Sequence, residues 1–590
     1  MTPNDQPRVS AAAAPQARSR RFQFAALGLV LVSGLAGLGL ARCLKAPPVT
    51  LAPPVTDTPL LKQLPNLFPG WSKPAPDLVL VVTGQQHGYL MPCGCSRPQK
   101  GGLERRSNLI DLLKAKGWPV VPVDLGDVPQ IQGPANLANI QGLVKYRYAM
   151  LAMRTMNYAA VGFGEFENAQ PLHKCFDEWS FNEKLPRVLA ANLLDKEGIY
   201  KGKDAPCIHD VSFAATPGLK VGVTALLAPS VVELKKMKNE KFDYASSADT
   251  LPRVLDQFDA GKADLRVLLY QGSLTHGMKG KDPEVHELVR KFPQFNVAVC
   301  LSEDDEPRST ATMIGQTMAL SVGHKARYVG VVGVWKTGKA EQPFNFKYQL
   351  VELDEEFMTP KGAEAGHKII GLMEKYTAEL KRDNYLAKYP QAVHANEVAI
   401  LGQGGKAPHY VGSEACKGCH SDMYKKWLTT PHSHAYQKLE ETKNPSLRQY
   451  DPECIVCHTV GFGYKSGFRD ETSTPKLKNV GCESCHGPGS EHIVSEQDRT
   501  SGKAAPHSQK WRELMNPYRT PDGPETEKAR DNRILRADVF CQTCHDKDND
   551  VHWLNKAFER KWMKIWHYER EKLEEEFKKK EAELKKEPQR

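Results

Sequence analysis

No basic stripe runs through this sequence. Its 80 lysines and arginines exceed its 70 acidic residues by only ten over 590 positions. That balance offers no track for a phosphate backbone, so no nucleic-acid partner is expected. Nor is there a shortage of apolar residues: 40% are hydrophobic and 25% charged, which excludes wholesale disorder. A single domain is excluded by length. Strand-like patterning is missing after residue 409, where cysteine and histidine concentrate instead.

What is present begins with Arg18, Arg20 and Arg21, followed by an uncharged apolar run over residues 22–41. Twenty such residues just cross a bilayer, and the preceding basic residues keep residues 1–21 cytoplasmic. Everything after Arg42 is then expected on the periplasmic side. An uncleaved anchor fits the length better than a signal peptide, which needs a cleavage site near Gly39-Leu40-Ala41. Residues 42–76 are rich in proline and read as a semi-extended spacer.

From residue 77 the texture is α/β. Continuous apolar runs at 77–83, 120–125, 187–191, 219–226, 265–270 and 295–301 predict buried strands. Helical spacing marks 103–116, which stops at Gly117, and 143–156. Late runs at 317–322, 328–335 and 344–353 follow without long helices between them. The expectation for 77–355 is therefore a layered α/β sandwich with antiparallel strands late in the domain. A helical connector follows over 356–408, including a helix at 362–385. A mostly α-helical region follows over 409–568. The tail, 569–590, holds eight basic and eight acidic residues and reads as a solvated helix laced by ion pairs.

Eight of the 14 cysteines fall in four C-x-x-C-H pentads: Cys416/Cys419/His420, Cys454/Cys457/His458, Cys482/Cys485/His486 and Cys541/Cys544/His545. Two cysteines three apart share one side of a helical turn. They can form thioethers to one haem while the adjacent histidine reaches the iron. A zinc ribbon does not require histidine after every pair, and redox C-x-x-C motifs do not come in fours. Four covalent haem c groups are expected.

The order YVGSEACKGCH, HSHAY, CIVCHTVGFGY, VGCESCHGPGSEH, CQTCH and KWMKIWH, over residues 410–567, resembles the tetrahaem cytochrome c group that includes the electron acceptor of hydroxylamine oxidoreductase. That resemblance implies closely packed haems with bis-histidine ligation at most irons. By motif position it favours His434, His492 and His567 as distal ligands. The fourth falls to His409, His432, His507 or His552, or one iron lacks a distal protein ligand.

The front half carries VVTGQQHGYL (81–90), VDLGD (123–127), AAVGFGEFE (159–167), AANL (190–193) and LRVLLYQGS (265–273). These resemble the metallophosphoesterase domain of periplasmic 5′-nucleotidases, a family that implies two metal ions held by Asp, Asn and His ligands. His87 and Asp127 match. Gln85 replaces the first aspartate, Phe163 and Gly164 replace the Asn-His pair beside Glu165, and Gln271 replaces a histidine. The late histidine segment is expected at Leu301 to Asp304, where no histidine stands. The fold is expected to persist and phosphoester chemistry to be lost.

Beside His87 lies HGYLMPCGCSRPQKGGLERR (87–106), with Cys93 and Cys95 on the loop after the first strand, the usual site edge of an α/β sheet. It resembles a nucleotidase-like group with CGC, sometimes with selenocysteine, at this loop, which implies redox or nucleophilic use. His87, Arg97, Lys100, Arg105 and Arg106 could lower a thiol pKa. A structural disulfide or inert buried cysteines are the alternatives. Cys175 and Cys207 read as a disulfide or as core residues, and Cys300 is left open.

The expected protein is an exported oxidoreductase in which a site at Cys93, Cys95 and His87 feeds four haems. It would exchange electrons with a redox partner or a quinone-linked chain. The alternatives are a pure electron carrier with a docking domain and a metal-dependent phosphoesterase fused to a cytochrome.

Overall fold

The computed structural model describes residues 67–94, 96–179, 185–202, 207–239, 241–277, 282–518 and 524–553. The run 22–41, most of the spacer, Cys95, His567 and the charged tail lie outside the described residues. Among the described residues, no helix is long and apolar enough to cross a membrane. The described residues all fall in one compact unit.

The front half is an α/β sandwich of two sheets with helices on their outer faces. Leu78–Thr83 is all apolar up to its last residue because both its faces are covered, and all six residues are buried. It pairs parallel with Val120–Asp124 and antiparallel with Tyr328–Lys336. These strands are central in a seven-stranded sheet that Phe344–Glu352 and Ile208–His209 border. A second sheet of six strands has Leu265–Ser273 between Val297–Leu301 and Leu219–Leu227.

The sheets meet face to face through Leu80, Val82 and Val123 on one side and Val223, Val267 and Val299 on the other, all fully buried. Each such side chain contributes about 1.5–3 kcal/mol on burial. Helices Leu103–Ala115 and Gly142–Thr155 cover the outer face of the first sheet. Ser247–Ala260 and Glu284–Lys291 cover the second. The first helix ends as expected: Gly117 takes φ +78°, a left-handed turn that glycine adopts without strain.

The connector departs from the expected single helix. Lys368–Arg382 is helical, Asn384 then turns left-handed at φ +47°, and a short helix follows at Tyr385–Lys388. The long helix is more than a connector, since Ile369, Met373, Tyr376 and Leu380 pack into the core of the first sheet. A further helix, Ala395–Leu401, is not marked by the sequence pattern.

The C-terminal region contains helices, 3₁₀ turns and two isolated bridges, Ala392 to Tyr464 and Thr459 to Lys478. Its apolar clusters are small: ten buried residues between Leu386 and Leu477, and the pair Ala537 and Trp553. Burial alone cannot order a region of this length with so little core.

A buried polar seam joins the halves. The Asp451 carboxylate caps helix Pro452–His458 by accepting from the Glu453 N–H at 3.0 Å. It also accepts from the Gln141 amide at 2.9 Å and the Tyr376 hydroxyl at 3.3 Å. Glu453 accepts from Gln130 and Lys145, each at 2.8 Å. The helix that carries the second pentad is thus fixed to the front half by its first turn.

Asp451→Ala removes the cap and two bonds across the seam. The expected loss is about 2–4 kcal/mol, from the cap and from donors left unpaired in a buried site. Thermal unfolding of the haem-loaded protein, followed by circular dichroism, measures it. An unchanged melting curve would contradict the seam's role.

Candidate functional site

Each pentad lies at or beside a short helical turn that presents its cysteines and histidine together. Cys454, Cys457 and His458 lie on Pro452–His458, and Cys482, Cys485 and His486 form Cys482–His486. Ser413–Cys416 ends at the first pentad, and Glu527–Cys541 ends at the fourth.

The eight pentad cysteines do not share one setting. Seven are partly sheltered, whereas Cys419 is exposed, and so is His420 beside it. The physical reason is local: Cys419 stands in the turn between Ser413–Cys416 and Ser421–Leu428, beside Lys417 and Gly418, which are themselves exposed. Neither residue has an apolar side chain to fold over the thiol. Cys419 still lies near enough to Cys416 for its charge to raise the Cys416 pKa. The pair is therefore kept together, but at the solvent edge of the region.

Three pentad histidines direct Nδ1 at an acceptor. His458 donates to the Ala435 carbonyl at 2.6 Å, His486 to the Met515 carbonyl, and His545 faces the Asp550 carboxylate at 2.9 Å. Each bond fixes the tautomer and leaves Nε2 as the lone-pair donor for a metal. Burial lowers the His458 and His486 pKa values, which also favours the neutral, ligating form.

The pentads are brought together in pairs. The free thiols of Cys416 and Cys482 share a hydrogen bond, as do those of Cys457 and Cys544. Cys485 lies near enough to Cys544 and Cys541 to feel their charge. The first and third pentads are therefore neighbours, as are the second and fourth, with the third close to the fourth.

The distal candidates are sorted by geometry. His432 faces His545 with ring centres 6.0 Å apart. Two imidazoles that share one metal at roughly 2 Å each stand about that far apart. Burial and the two histidines His545 and His458 hold His432 neutral, with a pKa of about 4. His434, the position favoured by motif, is exposed and is not the histidine brought over His545. Ser433 between them is buried and donates to the Thr430 carbonyl at 2.9 Å.

His492 is placed beside His420 and His486, and its buried Nδ1 lacks a partner among the described residues. His552 donates Nε2–H to the Arg97 carbonyl at 2.5 Å and is taken up there. These donors fit haem c. So do Leu428, Val494, Leu535 and Val539, large apolar side chains left exposed around the pentads.

In the front half, two positions that the sequence resemblance assigns to metal ligands carry amides, Gln85 and Gln271. The Gln85 side chain donates to the Ser302 carbonyl at 3.0 Å and accepts from the Ser302 N–H at 2.8 Å. Gln271 donates to the Leu125 carbonyl at 2.7 Å. Asp127 is buried and accepts from the Phe166 N–H at 2.9 Å, while Glu167 accepts from the N–H groups of Gly164, Asp127 and Val128. Burial pushes both carboxyls up, each raised further by the other acids around it. Among the described residues, no group of three His, Cys, Asp or Glu side chains is placed to hold a metal ion.

His87 stacks on Phe166 at 4.4 Å and lies 5.1 Å from the His324 ring. Burial and the neighbouring His324 and Lys325 push its pKa down to about 3. Sequence reasoning misses His324, because it looks for a histidine at residues 301–304. His324 comes instead from the turn before Tyr328–Lys336 and reaches back, with Nε2 2.9 Å from the Ser302 carbonyl and Nδ1 2.9 Å from Asp305. The GHKAR run (323–327) is its only local signal.

The loop carrying Cys93 is docked on the pentads. Cys93 Sγ lies 3.7 Å from the Asn549 carbonyl and accepts from the Gln99 amide at 3.1 Å. The Ser96 hydroxyl donates to the Asn549 carbonyl and accepts from the Val551 N–H, both at 3.1 Å.

The cations expected to serve Cys93 are engaged elsewhere. Arg97 and Lys100 pair with Glu355 and Glu352. Arg105 donates to the Gln99 and Leu353 carbonyls, and Arg106 to Gln86 beside the buried Asp124. The cation near Cys93 is Arg448, from the other half of the chain. It is buried and donates to Met91 Sδ at 3.1 Å and the Pro92 carbonyl at 3.4 Å, and it also bonds to Cys454 of the second pentad. Its distance in sequence from Cys93 hides it.

A second contact closes beside this loop. Asp548 accepts from Lys325 and Arg327, and Asp305 accepts from Lys547 and Arg327. Cys175 and Cys207 lie in the core of the first sheet and Cys300 in that of the second, away from these contacts.

The family described as cytochrome c554 and c-prime matches residues 415–487. Cytochrome c-554 of Nitrosomonas europaea is 31% identical over 147 residues, which are 23% of this chain and 57% of that protein. The chain thus spans little more than half the length of that relative. The C-terminal resemblance is met: that region is cytochrome c554-like, which implies covalently bound haem c. Solved structures similar to the chain include a 5′-nucleotidase precursor from Thermus thermophilus, at 17% identity and a TM-score of 0.40 over 52% of this chain and 59% of that one. The calcineurin-like phosphoesterase YfkN from Bacillus subtilis shows 15% identity and a TM-score of 0.40, over 51% of this chain and 97% of that one.

The Asp305 contact gives a pH prediction. Lys547, His324 and Arg327 outweigh burial and hold the Asp305 carboxyl down at about 2, from an ordinary 3.8. A depressed carboxyl adds stability above its unfolded value, and that stability is lost as pH falls through the folded one. Wild type is therefore expected to lose stability relative to Asp305→Asn as pH falls from about 4 to about 2. Paired melts across that window measure the difference, and parallel curves would contradict the contact.

Proposed function

We propose that this chain is an exported multihaem c-type cytochrome that acts as an oxidoreductase, with the Cys93/Cys95 loop as its substrate-side redox site. The four pentads hold four haem c groups, with His420, His458, His486 and His545 as proximal ligands. The group at Cys416 and Cys419 is the one at the solvent edge. His432, His492 and His567 serve as distal ligands, with His432 in place of His434. Bound haem c supplies one-electron transfer.

The chain's own groups do the rest. The front sheet positions the loop, Gln99 orients the Cys93 sulfur, and Arg448 favours its thiolate. Oxidation of the Cys93/Cys95 dithiol to a disulfide releases two electrons and two protons. The disulfide is returned to dithiol by a small reduced sulfur or nitrogen species, which is the substrate class. Residues 22–41 tether the protein to the periplasmic face of the membrane. A redox protein or a quinone-linked chain takes the electrons onward.

The observation that carries this reading is the placement of the Cys93 loop. Gln99 and Cys93 meet the Asn549 carbonyl just after the fourth pentad, and Arg448 links Met91 and Pro92 to Cys454 of the second. A docking module with no redox role has no need of a cysteine loop at that junction.

Anaerobic stopped-flow mixing with sulfide or hydroxylamine tests it, with the haem absorbance as readout. Wild type is expected to be reduced. Cys95→Ala, with its haem content intact, is expected to react no faster than free haem peptide. Equal rates in wild type and variant would instead make the front half a docking domain for a pure electron carrier.

A further inference from the structure

Three consecutive residues after the fourth pentad have three different tasks. Asp548 accepts from Lys325 and Arg327 of the front half. The Asn549 carbonyl receives Ser96 and Gln99 of the Cys93 loop. Asp550 turns the other way, with Oδ2 2.9 Å from Nδ1 of His545. Asp550 is only 5% exposed, and its Oδ1 accepts from the His552 N–H at 3.2 Å. Trp553 stacks on the face of the His545 ring at 4.4 Å. The imidazole is thereby fixed in orientation as well as in tautomer.

The partners of the other pentad histidines are weaker acceptors. His458 and His486 donate to neutral carbonyls, those of Ala435 and Met515. A carboxylate in a buried site draws the Nδ1 proton more strongly and makes Nε2 a better electron donor. A more basic axial ligand favours the oxidised metal and lowers its reduction potential.

We infer that Asp550 is a positioning residue that sets the potential of the iron held at His545 below those of the irons held at His458 and His486. The inference rests on the proposed haem at the fourth pentad. It adds that this haem is the most reducing of the three and that its tuning residue is adjacent to the residue touching the Cys93 loop. Closure of the front half on Asp548 and Asn549 then fixes the backbone that aims Asp550.

Optical redox titration of the full haem-loaded chain tests this, with electron paramagnetic resonance to resolve individual irons. Asp550→Asn is expected to raise one potential and leave the others in place, and to alter one low-spin signal. Asp550→Glu is expected to move that potential back toward the wild-type value. Potentials that all stay in place, or all move together, would overturn the inference. So would failure of both variants to carry the wild-type haem content, which would make Asp550 a requirement for assembly. Peptide mapping of wild type separates the two levels: a fourth pentad without haem removes the reading beneath, whereas a loaded one with unmoved potentials removes this inference alone.

Discussion

Asp548, accepting from both Lys325 and Arg327, joins two halves that otherwise have no chemistry in common. One carboxylate against two cations at a half-closed junction is worth more than an exposed pair, because water screens it less. Its effect is positional. It holds the segment after the fourth pentad against the loops at the sheet edge, so that Asn549 meets Cys93 and Asp550 meets His545. The Asp451 seam does the same for the second pentad. With so small an apolar core of its own, the C-terminal region takes its order from these polar contacts and from the haems it is built to hold.

At the edge of the front sheets, Gln85 and Gln271 turn their amides onto backbone groups. Asp127 and Glu167 are kept where their oxygens cap N–H groups of the loops. Beneath them Arg106 lies 3.7 Å from Asp124, with both side chains fully buried, and donates to Gln86 at 2.6 Å. That pair braces the loop of His87 and Tyr89 from below. The sheet edge thus remains a rigid platform, with new occupants supplied by the haem half.

Much of this is legible in the sequence for physical reasons. Buried parallel strands must be continuously apolar, so Leu78–Thr83 and Val120–Asp124 stand out. Thioether attachment demands a fixed spacing, so the pentads stand out as well. Spacing says nothing of cover, however, so the exposure of Cys419 is not visible in it. The connector helix reads too long at both ends: Glu364–Gly366 is a separate 3₁₀ turn before Lys368, and Asp383 and Asn384 carry no strong stop signal, although asparagine tolerates the left-handed turn found there. His324 and Arg448 are not legible. Each acts across a long stretch of chain, and sequence periodicity reports on neighbours along one element, not on partners across a fold. The unequal burial of His432 and His434 is hidden for a related reason: both lie in one 3₁₀ turn, Pro431–His434, and spacing does not say which is the more covered.

The account's central claim is that the front half has exchanged metal chemistry for thiol chemistry beside the haems. Metal analysis of the purified full-length protein, normalised to covalently bound haem, tests it most directly. The account predicts one iron for each of the four pentads and no second metal in stoichiometric amount. About two manganese or zinc ions per chain would contradict it, and would mean that Asp127 and His87 still anchor a phosphoesterase centre.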